Sequence, residues 1–134
     1  LALKFEEKSI SACEALKDIS PGRSPKLRDS LKKYWHDIPP GKSVSDVNES
    51  GSGFCRVKLN PRFPANTQSA DLPAMHWLEM RHLNEYESYA IQTFPSDFNC
   101  LNTRPHYVCG MSVPPYMMQR LALEIQRQFF GAEA

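Results

Sequence analysis

The stretch RHLNEYESYAIQTFPSDF, residues 81–98, contains a helix whose beginning and end are both specified by the sequence. Asn84 can cap this helix, and Glu87 occupies its third position, which is the arrangement of a capping box. Apolar residues follow at helical spacing, and Pro95 ends the helix. Arg81 precedes the helix at a distance that allows an ion pair with Glu87. We therefore assign structural roles to Arg81 and Glu87.

A longer helix is predicted C-terminal to this one, in GMSVPPYMMQRLALEIQRQFF, residues 110–130. An apolar residue recurs every fourth position, which predicts an amphipathic helix of about four turns and gives Met117 and Met118 packing roles. Pro114 and Pro115 stiffen the corner before the helix and remove two N–H groups, so the corner is a poor anion site. Without apolar surface to cover, this helix would leave an exposed patch, which favours self-association or a partner.

Two short helices are predicted near the N-terminus. Ser11 and Glu14 have the spacing of a capping box, which predicts a helix over residues 12–19. Ser24 is expected to cap the second helix, with Pro25 in its first turn. The apolar stripe of this second helix consists of Leu27, Leu31 and Trp35.

The middle of the chain predicts a long loop followed by a strand. Residues 38–53, IPPGKSVSDVNESGSG, lack periodicity, and loops of this length are often functional. Residues 53–61, GFCRVKLNP, alternate in the manner of a strand with Cys55, Val57 and Leu59 on one face and Phe54, Arg56 and Lys58 on the other. The basic face suits phosphates or base edges, or it is an ordinary half-exposed strand face.

Composition limits the possible functions. The chain has 16 Lys and Arg against 15 Asp and Glu, so any nucleic-acid role depends on local patches or on another chain. Four cysteines without a C-x-x-C pair predict reduced thiols in a cytoplasmic protein, with two disulfides in a secreted protein as the weaker alternative. Neither the cysteines nor the histidines have the spacing of a metal site. No membrane span and no signal peptide are visible, so we expect no membrane partner. No phosphate-binding glycine loop or nucleophile elbow is present, so a complete catalytic site is not expected.

The two C-terminal stretches together resemble the C-terminal part of bacterial-type DNA (cytosine-5)-methyltransferases. That family has an Arg-x-Leu-x-x-x-Glu helix start, a Gln-x-(aromatic)-Pro end and, after a short gap, a Gly-Asn-(Ser or Ala)-Val-Pro-Pro corner with a final helix. The matching positions here are Arg81, Leu83, Glu87, Gln92, Phe94, Pro95, Gly110, Ser112, Val113, Pro114 and Pro115. The upstream region is similar to the family's target-recognition region, in which a basic strand and a Pro-x-x-Thr stretch precede the Arg-x-Leu motif.

The resemblance implies the DNA-recognition and cofactor-pocket-completing part of an enzyme that transfers a methyl group from S-adenosylmethionine to C5 of cytosine in duplex DNA. Met111, Ser112 and Val113 would lie by the S-adenosylmethionine pocket, although Met111 replaces the family's usual Asn and cannot repeat its polar contacts. The implied DNA contacts are Arg56, Lys58, Arg62 and Thr67. No catalytic residue is assigned, because the family's cofactor-binding glycine loop and Pro-Cys nucleophile are missing. The implied partners are duplex DNA and a catalytic half, in the same chain or in a separate subunit.

The predicted fold class is α+β, a small irregular lobe with short strands and a few helices. Its final amphipathic helix would pack on the α/β domain of an S-adenosylmethionine-dependent methyltransferase. The predicted regions are N-terminal helices and connector (1–36), target-recognition region (37–80), Arg-x-Leu-x-x-x-Glu helix (81–98), and corner with C-terminal helix (99–134). The initial Leu1 favours a fragment of a single-chain enzyme over a split subunit. The alternatives are a non-catalytic DNA- or protein-binding module derived from this lobe, and a small α+β domain without a nucleic-acid role.

Overall fold

The computed structural model describes residues 5–19, 22–53 and 55–131. These residues form five α-helices: α1 Ala12–Ala15, α2 Asp29–Trp35, α3 Glu85–Ile91, α4 Pro105–Met111 and α5 Pro115–Ile125. A 3-10 turn, Val44–Asp46, follows α2, and a π-helical segment, Gln126–Phe130, continues α5. The described part of the chain contains only isolated β-bridges, so the protein is a small α-rich lobe. Within these described ranges, no helix is both long enough and apolar enough to cross a membrane.

Single β-bridges replace the strand that was predicted over residues 53–61. Val57 forms an antiparallel bridge with Ser43, and Lys58 forms a parallel bridge with Met75. Pairing cannot continue along the chain because proline at position 61 has no N–H to donate. The prediction of short strands is therefore wrong for this segment, and its position 54 lies outside the described residues.

The cap signals place the first and third helices correctly. The Ser11 side chain accepts a hydrogen bond from the Glu14 N–H at 3.2 Å, but α1 ends after one turn and does not extend over residues 12–19. At the start of α3, the Asn84 side chain accepts from the Glu87 N–H, and the Glu87 carboxylate accepts from the Asn84 N–H, both at 2.8 Å. This reciprocal pair is a complete capping box, and it fixes where α3 begins.

Helix α2 begins later than the sequence predicted. Ser24 does not cap it, and the helix starts at Asp29 with no side-chain cap. Lys26 instead forms an antiparallel bridge with Arg81, which holds this segment extended. A tertiary contact therefore overrides the local helix signal. The predicted apolar stripe is nevertheless buried along its whole length, at Leu27, Leu31 and Trp35.

Two apolar clusters form the core. The first packs α2 against the segments that follow it, and its members are Leu27, Leu31, Trp35, Ile38, Val44 and Met75. The second joins α1 to the residues before α3, and its members are Ala12, Leu59, Ala74 and Leu83. Both clusters lie in the N-terminal two thirds of the chain, so they position α3 from one side and leave α5 outside the core.

Helix α4 was not predicted from the sequence. Pro105 opens it at the first helical position, where its missing N–H costs nothing. Gly110 lies near its C-terminal end and packs directly on backbone: a Cβ added there would lie 2.6 Å from the Cα of Ala70 and closer still to its N atom. The stretch GMSVPP is therefore divided, since its first two residues end α4 and only residues 112–114 form the corner before α5.

Candidate functional site

The helix start at Arg81 is held by a two-pronged ion pair. Arg81 Nη1 donates to Glu87 Oε2 at 2.6 Å, and Nη2 donates to Oε1 at 2.8 Å. Arg81 Nε donates to Glu79 at 2.8 Å, so all three guanidinium nitrogens are engaged. Burial alone would raise the pKa of Glu87, but the hydrogen bonds from Arg81 and Asn84 outweigh it and hold that pKa below its ordinary value. The pair is therefore ionised at neutral pH and acts as a brace for α3.

The end of α3 is bonded directly to the corner before α5. Gln92 Nε2 donates to the carbonyl oxygen of Ser112 at 3.0 Å, with its hydroxyl 3.4 Å away. Thr93 Oγ1 accepts a hydrogen bond from the Tyr116 N–H at 3.0 Å. Thr93 has a φ of 62°, in the left-handed region that a β-branched residue rarely adopts. Two sequence stretches that lie about 20 residues apart thus form one unit.

The polar groups of this corner are used within the chain. The Ser112 hydroxyl donates to the carbonyl oxygen of Cys109 at 3.0 Å, and the Tyr116 N–H is taken by the threonine of α3's C-terminal end. Pro114 and Pro115 have no N–H at all. Pro114, Pro115 and Tyr116 therefore offer no free backbone N–H to an anion, in agreement with the sequence analysis.

The corner presents apolar side chains outward. The exposed fraction is 67% for Met111 and 53% for Val113, and α5 buries none of its own residues. We use the name apolar ridge for six of the exposed apolar side chains between the end of α4 and the π-helical segment: Met111, Val113, Met117, Met118, Ile125 and Phe129. Met117 and Met118 do not pack within the described part of the chain, so the packing roles predicted for them are not fulfilled there.

The four predicted DNA contacts are placed differently from one another. Arg56 is half-buried, while Arg62 and Thr67 are exposed. Lys58 is buried: its Nζ donates to the carbonyl oxygen of Trp35 at 2.9 Å and lies 3.8 Å from the centroid of the indole ring. Burial lowers the pKa of Lys58. The prediction of a solvent-facing Lys58 is wrong, because the C-terminal end of α2 covers the face that the alternation assigned to solvent.

Sequence reasoning gave no separate role to three residues that shape this site. Gln92 and Thr93 join α3 to the corner, and Gly110 allows α4 to contact the backbone of residues 69–70. Gln92 and Gly110 belong to the quoted motifs, so a signal was present for them. Thr93 had no such signal, since threonine at a left-handed position follows from no local pattern.

Within the described ranges, no group of three or more His, Cys, Asp or Glu side chains is placed to hold a metal ion. All four cysteines have free thiols. Comparisons with protein-family models, with curated proteins and with solved structures find no match. The interpretation of the site therefore depends on its own geometry.

Proposed function

We propose that this chain is the DNA-recognition and cofactor-pocket-completing part of a DNA (cytosine-5)-methyltransferase. The observation that carries the proposal is the hydrogen bonding of Gln92 to Ser112 and of Thr93 to Tyr116. These bonds join the two stretches that resemble consecutive motifs of that family. Residues from separate motifs are expected to lie together when they build one wall of a pocket.

The corner would contribute apolar contact to S-adenosylmethionine, the group that supplies the methyl when bound. Ser112 has its hydroxyl and carbonyl engaged within the chain, whereas the side chains of Met111 and Val113 point to solvent. An apolar pair of this kind suits an uncharged part of the cofactor and not its charged groups. The contacts that the family's usual Asn provides would have to come from the catalytic half.

The chain would not supply the nucleophile. Cys109 is the cysteine nearest the corner in sequence, but it is buried, and burial raises the pKa of its thiol to about 12. A protonated, buried thiol cannot attack a cytosine ring, since the thiolate is the reactive form. Addition to a cytosine flipped out of the duplex therefore requires a second polypeptide region that carries the Pro-Cys motif.

The apolar ridge would be the surface that meets the catalytic half. Its methionine, isoleucine and phenylalanine side chains are exposed to water. Burying them against a partner would remove apolar surface from water, which favours association. Arg56, Arg62 and Thr67 would contact DNA, while Lys58 no longer belongs to these contacts, because it is buried with its Nζ bonded to the carbonyl oxygen of Trp35.

The test is reconstitution of methyl transfer. This chain would be mixed with the catalytic half of a bacterial DNA (cytosine-5)-methyltransferase that carries the glycine loop and the Pro-Cys motif, and transfer of labelled methyl from S-adenosylmethionine to duplex DNA would be measured. We expect activity only in the mixture. Met117→Glu should abolish both association and activity, whereas Gln119→Glu, which adds the same charge to α5 outside the ridge, should preserve both.

Two results would contradict the proposal in different ways. DNA binding without association or methyl transfer would favour the non-catalytic binding module. Absence of both DNA binding and association would favour a domain with no nucleic-acid role. A gel-shift titration over salt concentration distinguishes these two alternatives. DNA binding through Arg56 and Arg62 must weaken as the salt concentration rises, whereas a domain with no nucleic-acid role shows no binding at any salt concentration.

A further inference from the structure

The turn NPRFP, residues 60–64, is restrained by hydrogen bonds and prolines within the turn itself. Asn60 Oδ1 accepts a hydrogen bond from the Arg62 N–H at 3.0 Å, and the Asn60 carbonyl oxygen accepts from the Phe63 N–H at 3.4 Å. Prolines at positions 61 and 64 fix two further backbone φ angles near −65°. The backbone on both sides of the Arg–Phe pair therefore has little freedom to move.

The same turn is bonded to the start of α1. The Ala12 N–H donates to the Phe63 carbonyl oxygen at 2.9 Å, and the Cys13 N–H donates to the Pro61 carbonyl oxygen at 3.1 Å. The first N–H groups of a helix have no partner within the helix, so the turn satisfies two donors that α1 cannot satisfy itself. Since Ala12 belongs to the second core cluster, the turn is anchored to the core.

The side chains of the pair point outward from this rigid backbone. Phe63 is 62% exposed and Arg62 is exposed. Among the described residues, no carboxylate forms an ion pair with Arg62. A free guanidinium beside an exposed phenyl ring, both on a fixed backbone, is organised for a ligand that offers a negative charge next to a flat ring.

We propose that Arg62 and Phe63 form a stacking wedge for duplex DNA, in which Arg62 contacts a phosphate and Phe63 stacks on a base at an unstacked step. This wedge rests on the proposed function, and it specifies how the DNA-contacting residues of the chain would distort the duplex. Apolar side chains inserted at a base step kink DNA, and base–aromatic stacking tolerates any sequence. The rigid turn matters, because a mobile loop would lose much of the stacking energy on becoming ordered.

A second cation supports nucleic acid over protein as the ligand. Lys42 lies on the segment beside the turn, since its carbonyl oxygen accepts from the Lys58 N–H at 2.9 Å and the neighbouring Gly41 packs against Asn60. The Lys42 side chain is exposed. Lys42 and Arg62 are thus exposed cations on neighbouring segments, which suits a phosphate backbone better than an apolar protein surface.

The experiment uses the intact chain and a duplex that contains 2-aminopurine, whose fluorescence rises when the base unstacks. We expect binding with a rise in fluorescence. Phe63→Ala should weaken binding about tenfold and remove the rise, with an unchanged salt dependence. Phe63→Tyr should restore both, and Arg62→Ala should lower the slope of binding against salt by about one. Leu78→Ala is the matched control, because it removes another exposed apolar side chain, 74% exposed, and should change nothing.

The outcomes separate the wedge from the proposed function. If the unmodified chain binds duplex DNA and Phe63→Ala binds equally well with the same fluorescence, the wedge is refuted while DNA recognition stands. If the unmodified chain does not bind duplex DNA, the wedge is refuted, and the reconstitution of methyl transfer decides the proposed function separately. If Phe63→Ala keeps DNA binding but loses association with the catalytic half, the pair is a protein contact and the wedge is again refuted.

Discussion

Gly110→Ala should destabilise this chain, although alanine is the better helix former. In an open helix the change would gain up to about 1 kcal/mol. Here the added Cβ would lie 2.6 Å from the Cα of Ala70, and ordinary contact requires at least 3.4 Å. The neighbouring atoms are backbone and cannot rotate away, so α4 must move relative to residues 69–70. Overpacking of this kind costs about 3 kcal/mol, which leaves a net loss of about 2 kcal/mol in the free energy of unfolding.

Urea denaturation followed by circular dichroism measures this loss. Met111→Ala is the matched control: it alters the next residue of α4, which is 67% exposed, and should change the free energy of unfolding by less than about 0.5 kcal/mol. Ala70→Gly should not rescue Gly110→Ala, because it removes a side chain and leaves the clashing N and Cα atoms in place. A Gly110→Ala variant as stable as the unmodified chain would refute the close packing of α4 and, with it, the position of the corner.

Three further predictions concern the same region. Glu87→Gln should cost about 3 kcal/mol in urea denaturation because it removes the buried anion of Arg81 and leaves only the exposed Glu79 as an ion-pair partner, and a loss below about 1 kcal/mol would contradict the brace. Thr93→Ala keeps the strained φ of 62° and loses the bond to Tyr116, whereas Thr93→Gly loses the bond but relieves the strain, so the glycine variant should be more stable by about 1 kcal/mol. Burial lowers the pKa of His76 from its ordinary 6.5, and its Nδ1 accepts two backbone N–H groups, so stability should fall as the pH drops below 6.5. His76→Gln should reduce this slope by up to about 1.4 kcal/mol per pH unit, and an unchanged slope would argue against the neutral ring.

Local signals predicted the start of α3 correctly, but the helix ends at Ile91, four residues before the proline at position 95 that was predicted to end it. Asn84 and Glu87 determine its start through bonds that span only three residues, so no distant contact is needed to read them. The burial of Leu27, Leu31 and Trp35 was also predicted correctly, because their four-residue spacing places them on one face wherever the helix begins. The wrong helix start at Ser24 arose from a bridge to a residue far along the chain.

The rest of the site depended on contacts that sequence periodicity does not encode. The sequence around Lys58 does alternate between apolar and basic residues. Whether the basic side chains are exposed to solvent, however, depends on the end of α2, which covers Lys58. Helix α4 has only seven residues and lies among turn formers, so no period could show it. The corner was recognisable from its prolines, whereas its bonds to Gln92 and Thr93 depend on the packing of α3 against α4, which no local pattern encodes.

The π-helical segment at the end of α5 has a geometric consequence for the apolar ridge. A residue recurring every four positions overshoots the 3.6-residue turn of an α-helix, so the row through Met117, Leu121 and Ile125 winds gradually around α5. A π-turn contains more residues than an α-turn, because its hydrogen bonds close from i to i+5. The segment Gln126–Phe130 therefore turns the row back, and Phe129 returns toward the line from which it had drifted. Phe129 thus lies closer to the face of Met117 than a continuous α-helix would place it, so one flat partner can contact both.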